Sequence, residues 1–257
     1  MSENIIISSY NDFAILAHKP TGNENCNELT INNNPEHFKN CMNPAFMLKH
    51  PFLDYIYICY ESIFDGSIAT FKYTNNKLEF ICSVDSQGKS SCYLTFDKTF
   101  KNIINVNYWN STISVHPIED GIVKNATFVY SSLQTHVAET LEEHLFDRQS
   151  EPHFHSAVFY KNILFVPDLG QDRINFFKYK QNKIYFYGFK QLQKNSGPRY
   201  LRILNNTLYV INELASNITV FNINNNINSN NKIYLEQTIS TLPKYHNLYH
   251  KKNNTCG

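Results

Sequence analysis

No stretch of this 257-residue sequence approaches the roughly 18 consecutive apolar residues that a helical membrane span requires, so such a span is excluded. Net charge is nearly absent. Twenty-three Lys and Arg stand against 22 Asp and Glu, which leaves +1 and no long-range field to draw the chain to nucleic acid or an anionic membrane. The six cysteines, Cys26, Cys41, Cys59, Cys82, Cys92 and Cys256, nowhere adopt Cys-x-x-Cys spacing, so a zinc site is not expected. The opening Met1-Ser2-Glu3-Asn4 lacks the basic and long apolar regions of a secretory leader. The expectation is a cytoplasmic protein with reduced thiols, several of them facing the core. A nucleophile elbow, a Walker loop and a Gly-x-Gly-x-x-Gly loop are all missing, which removes the chemistries those motifs serve. Tryptophan occurs once, at Trp109.

What is present favours pleated sheet. Hydrophobic residues make up 42% of the chain, with 17 Tyr and 19 Phe, the kind of aromatic enrichment that half-buried strands accept. The sequence also repeats. Four segments share an apolar strand, a turn, a strand reading Ile-x-[Val/Phe/Thr]-[Phe/His], and a further apolar strand. They run over Tyr55–Ile81, Asn102–Tyr130, Ile163–Tyr187 and Thr207–Glu236, and a partial unit begins near Ile5. The marker isoleucines Ile68, Ile113, Ile174 and Ile218 are spaced by 45, 61 and 44 residues. A period of about 40–50 residues with several strands per unit is that of propeller blades, whereas a β-sandwich, the other all-β candidate, requires no such period. The fold class read from this is all-β: a β-propeller of four-stranded antiparallel blades, about five of them covered, in one domain over residues 1–257. The near-continuous apolar run Thr207–Ile211 is expected to pack on both faces. The long interval holds an insertion near Ser131–Ser150, read as a polar surface loop in which Glu139–Leu145 forms one helical turn or two.

The order of the motifs points further. Glu151-Pro-His-Phe-His-Ser156 is followed by Leu164-Phe-Val-Pro-Asp-Leu-Gly-Gln-Asp-Arg-Ile174, then by Ser196-Gly-Pro-Arg-Tyr-Leu201, then by Leu208-Tyr-Val-Ile-Asn-Glu-Leu214 and Ile218-Thr-Val-Phe221. These resemble, in order and spacing, the signatures of the seven-bladed propeller lactonases. Asn105–Val115 is similar to a further signature of that family. The closing Asn253-Asn-Thr-Cys-Gly257 resembles the opening of the next blade in relatives. Against seven blades, the chain is therefore expected to be incomplete at its C-terminal end, without about two blades and without an arginine that the family contributes from them. An open ring would leave apolar faces for possible self-association.

The resemblance implies hydrolysis of 6-phosphoglucono-1,5-lactone to 6-phosphogluconate, part of the pentose phosphate route, on a small anionic lactone and with no cofactor or metal. Such chemistry needs an activated water, a polarised carbonyl and a grip on an anionic tail. Arg199 follows the rigid Gly197-Pro198 and suits a phosphate or carboxylate, or ties neighbouring blades. Glu213 ends an apolar strand, which leaves it either the general base or the partner of an internal arginine such as Arg199. Strand alternation puts His153 and His155 on one face with Phe154 opposite. They suit proton transfer, substrate contact or a structural hydrogen bond; a metal would need a third ligand for which no spacing is suitable. The catalytic candidates are His155, Glu213 and Arg199, and the substrate-binding candidates are His153, Asp168, Arg173 and Asn212. Asp172-Arg173 reads as a turn-stabilising pair, and Tyr108 as a further polar candidate. Two other readings stand beside the hydrolase: a lactonising enzyme like carboxy-cis,cis-muconate cyclase, and an inactive propeller acting as a binding scaffold.

Overall fold

The computed structural model describes residues 43–74, 77–132, 146–223 and 233–243, and the backbone of three N-terminal strands. Those strands, β1 (Asn4–Ser8), β2 (Ala14–His18) and β3 (Thr30–Asn32), form one antiparallel sheet in chain order. Four further sheets repeat one plan. The second holds β4 (Pro44–Lys49), β5 (Tyr55–Glu61), β6 (Gly66–Thr74) and β7 (Lys77–Asp85). The third holds β8 (Ser91–Phe96), β9 (Asn102–Asn107), β10 (Thr112–Glu119) and β11 (Ile122–Val123), with β12 (Phe128–Ser131) following in the chain. After a short helix, α1 (Phe146–Gln149), come β13 (Val158–Tyr160), β14 (Ile163–Asp168), β15 (Arg173–Lys180) and β16 (Lys183–Gln191). The last holds β17 (Pro198–Leu204), β18 (Thr207–Asn212), β19 (Asn217–Ile223) and β20 (Ile233–Ser240). Apart from β12, which lies off the path β8–β11, strand order follows chain order in every sheet, so each is a meander, the blade of a β-propeller. The marker isoleucines all fall on the third strand of their blade, because each blade opens with a strand outside the repeat grammar. In the third blade a short strand, Ile122–Val123, comes first, and the strand expected near Ala126–Tyr130 is present as β12 (Phe128–Ser131). The candidate turns at 139–145 and the closing 253–257 lie outside the described residues. No helix among the described residues is long and apolar enough to cross a membrane.

The chain divides into two compact units, Met1–Asn107 with Ser114–Thr127, and Tyr108–Ile113 with Phe128–Gly257. In the first, β5 is sandwiched. Ile56, Ile58 and Tyr60 pack on Ala69 and Phe71, while the alternate Tyr57 and Cys59 pack on Ile68, Leu94 and Ile103. Burial pushes the Cys59 thiol up to about 12; Cys59 and Cys92 are buried and Cys82 half-buried, all three unbridged. In the second unit, Ile163, Phe165 and Ile174 meet Leu201, Leu208, Val210 and Phe221. Each such side chain contributes about 1.5–3 kcal/mol by leaving water. All of β14 is buried, but β18 is not packed on both faces as its run of apolar residues suggests. Leu208 and Val210 face the core, while Tyr209 between them is 39% exposed.

One irregularity recurs where the blades begin. In β4 the pairing passes from Pro44↔Tyr60 to Phe46↔Cys59, in β8 from Ser91↔Asn107 to Tyr93↔Val106, and in β17 from Pro198↔Asn212 to Tyr200↔Ile211. The extra residues are Ala45, Cys92 and Arg199. Ahead of β13 the same slip separates the Phe154↔Asp168 bridge from Val158↔Phe165, and the residue in the equivalent place is His155. A β-bulge leaves one residue outside the ladder and re-aims its side chain. Two of these positions hold His155 and Arg199.

Candidate active site

The second unit gathers most of the chemically versatile side chains. Glu213 is the first residue past β18, and its N–H donates to the Gly197 carbonyl at 2.8 Å. Its side chain is nearly buried, and both carboxylate oxygens are occupied: Arg199 donates to Oε2 at 2.7 Å and Arg148 to Oε1 at 2.8 Å. The arginine side chains keep 29% and 31% exposure respectively. Two cations around one anion leave a net charge of +1, an arrangement suited to an incoming carboxylate or phosphate. Arg148 is also held from behind, where its Nε donates to the Tyr108 hydroxyl at 3.3 Å.

Tyr108 links the arginines to the histidines. The His153 ring stacks on it with centroids 4.4 Å apart and planes at 6°, and the His155 ring meets its edge at 5.4 Å. Phe154 turns the other way, onto Phe177, so the alternation places the rings as expected. Trp109 stands perpendicular to both members of the stack, 5.1 Å from Tyr108 and 5.2 Å from His153. His153 Nδ1 lies 3.4 Å from the Tyr108 carbonyl oxygen, which can only accept, so Nδ1 carries the proton. Nε2 then bears a lone pair, and it is buried without a partner. Burial, with the Arg148 charge, lowers the His153 pKa to about 4. Burial and the nearby Arg199 and Arg148 lower that of His155 to about 3. Both imidazoles are neutral near pH 7.

The remaining candidates hold the scaffold. Asp168 was expected to meet substrate, but it is fully buried and accepts from the backbone N–H groups of His153 (3.0 Å) and Gln171 (3.1 Å). It acts on the site through the backbone it pins. Arg173 pairs with Asp168 at 3.5 Å and lies over the Phe189 ring, rather than pairing with its neighbour Asp172. The Asn212 amide donates to Asn217 and Thr219 inside its own blade and is buried. Local backbone explains the aim of the others. At Gly197, φ is +57° and a Cβ would strike Leu214; at Gly170 a Cβ would collide with the Glu151 carbonyl oxygen. Glycine at 170 thus lets the β14–β15 turn close on the segment carrying His153. Ser156 Oγ donates to the Arg199 carbonyl at 3.0 Å and fastens the two bulge segments together.

Arg148 is the residue that sequence reasoning missed, since the insertion had been read as surface loop. One signal was available: it is the sole Lys or Arg between Ser131 and Ser150, four places ahead of Pro152. Among the described residues, no group of three or more His, Cys, Asp or Glu stands close enough to hold a metal ion.

Four-stranded meanders in succession define a β-propeller, and an arginine-clamped carboxylate and two histidines gather at its blade ends. Residues 21–256 match the profile of the family described as "Lactonase, 7-bladed beta-propeller", and the chain belongs to that family. It is similar to the 6-phosphogluconolactonase of Bacillus subtilis (strain 168), 24% identical over 210 residues, a match covering 78% of this chain and 56% of the relative. The chain thus spans little more than half the length of that curated relative. Among solved structures it is similar to the periplasmic gluconolactonase of Pseudomonas aeruginosa (18% identity, TM-score 0.76, covering 95% of this chain and 69% of that one). It is also similar to a protein from Lactobacillus plantarum (18% identity, TM-score 0.78, covering 96% and 70%).

Proposed function

We propose that the chain hydrolyses a sugar δ-lactone bearing an anionic group, with 6-phosphoglucono-1,5-lactone as the substrate its chemistry suits best. The observation that carries this reading is the pair of part-exposed arginine side chains, Arg148 and Arg199, fastened to Glu213 beside neutral histidines. The relative from Bacillus subtilis supports the choice of lactone.

In this mechanism the anion lies across the two arginines. Water attacks the lactone carbonyl carbon while His155 takes its proton, and the oxyanion that forms is stabilised by guanidinium charge. Collapse breaks the bond from the carbonyl carbon to the ring oxygen, which takes the proton back from His155, leaving the hydroxy acid. A histidine titrating near 3 is a weak base in the empty site. An anion bound over Arg148 and Arg199 offsets the part of that depression due to their charge. Glu213, with both oxygens occupied, serves in this scheme as the tether of the two guanidiniums instead of the base. The test is hydrolysis of freshly generated 6-phosphogluconolactone by the purified chain, with Arg148→Ala and Arg199→Ala alongside. Loss of one oriented charge is expected to lower kcat/KM by about 10²-fold in each variant. A rate for the intact chain equal to spontaneous hydrolysis overturns the proposal.

A further inference from the structure

Asp172 touches none of the groups used in the proposed chemistry, yet the segments that carry them converge on it. It sits in the turn between β14 and β15, only 7% exposed. Its Oδ1 accepts from Gln149 Nε2 at 2.8 Å and from the Gly197 N–H at 2.7 Å, and its Oδ2 accepts from the Asn195 N–H at 2.6 Å. Its backbone carbonyl accepts from the Leu192 N–H at 2.8 Å and from Gln191 Nε2 at 2.9 Å. Gln149 is the neighbour of Arg148 on α1, and Gly197 lies two residues ahead of Arg199.

We infer that Asp172 is a positioning residue that sets the spacing between Arg148 and Arg199, and with it the size of anion the pair accepts. A helix of four residues cannot hold itself in place, because the cost of nucleation exceeds what so few backbone bonds return. The place of α1 is therefore dictated by its anchors. The amide of Gln149 is the buried one, and it donates both to Asp172 and to the Leu169 carbonyl at 3.0 Å. On the other side, the segment before Arg199 runs through two left-handed residues, Asn195 at φ +65° and Gly197 at φ +57°, and both turn their N–H groups toward the same carboxylate. Three donors on two oxygens require a carboxylate. An asparagine offers one oxygen, and its NH₂ group faces a donor.

The catalytic consequence rests on the function proposed above; the binding consequence does not. The experiment measures inorganic phosphate and pyrophosphate affinity by the fluorescence of Trp109, the single tryptophan, together with melting temperature and lactone hydrolysis. The proteins are the intact chain, Asp172→Asn, Gln149→Ala, Arg148→Ala and the Gln149→Ala/Arg148→Ala double variant. Asp172→Asn is expected to weaken phosphate about tenfold and to change the ratio of phosphate to pyrophosphate affinity. A merely structural loss lowers both affinities together and leaves that ratio fixed. Gln149→Ala cuts only the arm to α1. It is expected to weaken phosphate about as far as Arg148→Ala does, with no further loss in the double variant. An additive double variant, an unchanged Gln149→Ala, or an intact chain that binds neither anion overturns the inference. Phosphate binding that follows this pattern without lactone hydrolysis leaves the inference standing and removes the lactonase reading.

Discussion

Replacing Glu213 by glutamine separates two roles that a carboxylate in this position can play. As a tether, Glu213 makes one short charged bond to each guanidinium, at 2.7 and 2.8 Å. Each is worth about 1.5–3 kcal/mol when buried, less here because both arginines keep roughly three-tenths of their side chains in solvent. Glutamine keeps one acceptor and turns an NH₂ group toward the other arginine, so the folded state is expected to lose about 2 kcal/mol. The electrostatic effect on ligands has the opposite sign. The net charge of the three-residue group rises from +1 to +2. Removing a negative charge about 7 Å from a bound anion favours binding by about 2 kcal/mol at an effective dielectric of 20. After screening, inorganic phosphate is expected to bind about tenfold more tightly at low salt, while kcat falls by about tenfold or more because the guanidiniums no longer hold one orientation. KM and kcat should thus fall together, the pattern of tight but unproductive binding. Calorimetric titration with phosphate and steady-state lactone hydrolysis read both numbers. A variant with unchanged phosphate affinity and a rate at background would make Glu213 the base itself, and the tether argument would be refuted.

Two other outcomes follow from burial and backbone. His153 titrates near 4 in the folded chain against about 6.5 unfolded, so its contribution is complete above pH 6.5 and is lost as pH falls toward 4, about 3 kcal/mol in all. Asp168, raised to about 6 by burial, works with the opposite sign, losing stability as pH rises from about 4 through 6, but His155, lowered to about 3, adds to His153, so the intact chain still loses stability as pH falls from 6.5 to 4. In denaturant titrations His153→Gln is expected to close its stability gap to the intact chain by about 3 kcal/mol between pH 7 and pH 4; a constant gap would contradict the buried neutral imidazole. Gly197→Ala forces a Cβ into Leu214 at a left-handed φ, and is expected to cost about 2 kcal/mol or more and to depress lactone hydrolysis through Arg199. An unchanged melting temperature would sink that argument.

The blades were legible because their middle strands alternate or run apolar without interruption, as Ile56–Tyr60 and Leu164–Val166 do. The opening strands were not. β13 has only three residues, and β17 alternates Arg199, Tyr200 and Arg202 with apolar neighbours around a bulge that breaks the period of two. His153, His155, Arg199 and Glu213 stand out locally, by a proline or glycine beside them or by a charge closing an apolar run. Arg148 does not, since its place depends on Gln149 reaching a carboxylate that is distant in sequence. Asp168 and Asn212 show the converse. A polar residue at the end of an apolar strand signals that something is bonded there, and the partners turned out to be the backbone and side chains of the fold itself.

The recurring bulge has a consequence for how such a chain can change. Ala45, Cys92, His155 and Arg199 occupy one address in successive blades, each at the slip in register where its strand joins the sheet. A side chain there can be exchanged without asking the strand beneath it to give up a pairing. Chemistry and architecture are therefore written in separate registers of the same repeat. Of the other two sockets, Cys92 is buried with its thiol donating to the Val106 carbonyl, so the half-buried Ala45 is where a new acid, base or cation could be installed with less disturbance to the sheet that carries it.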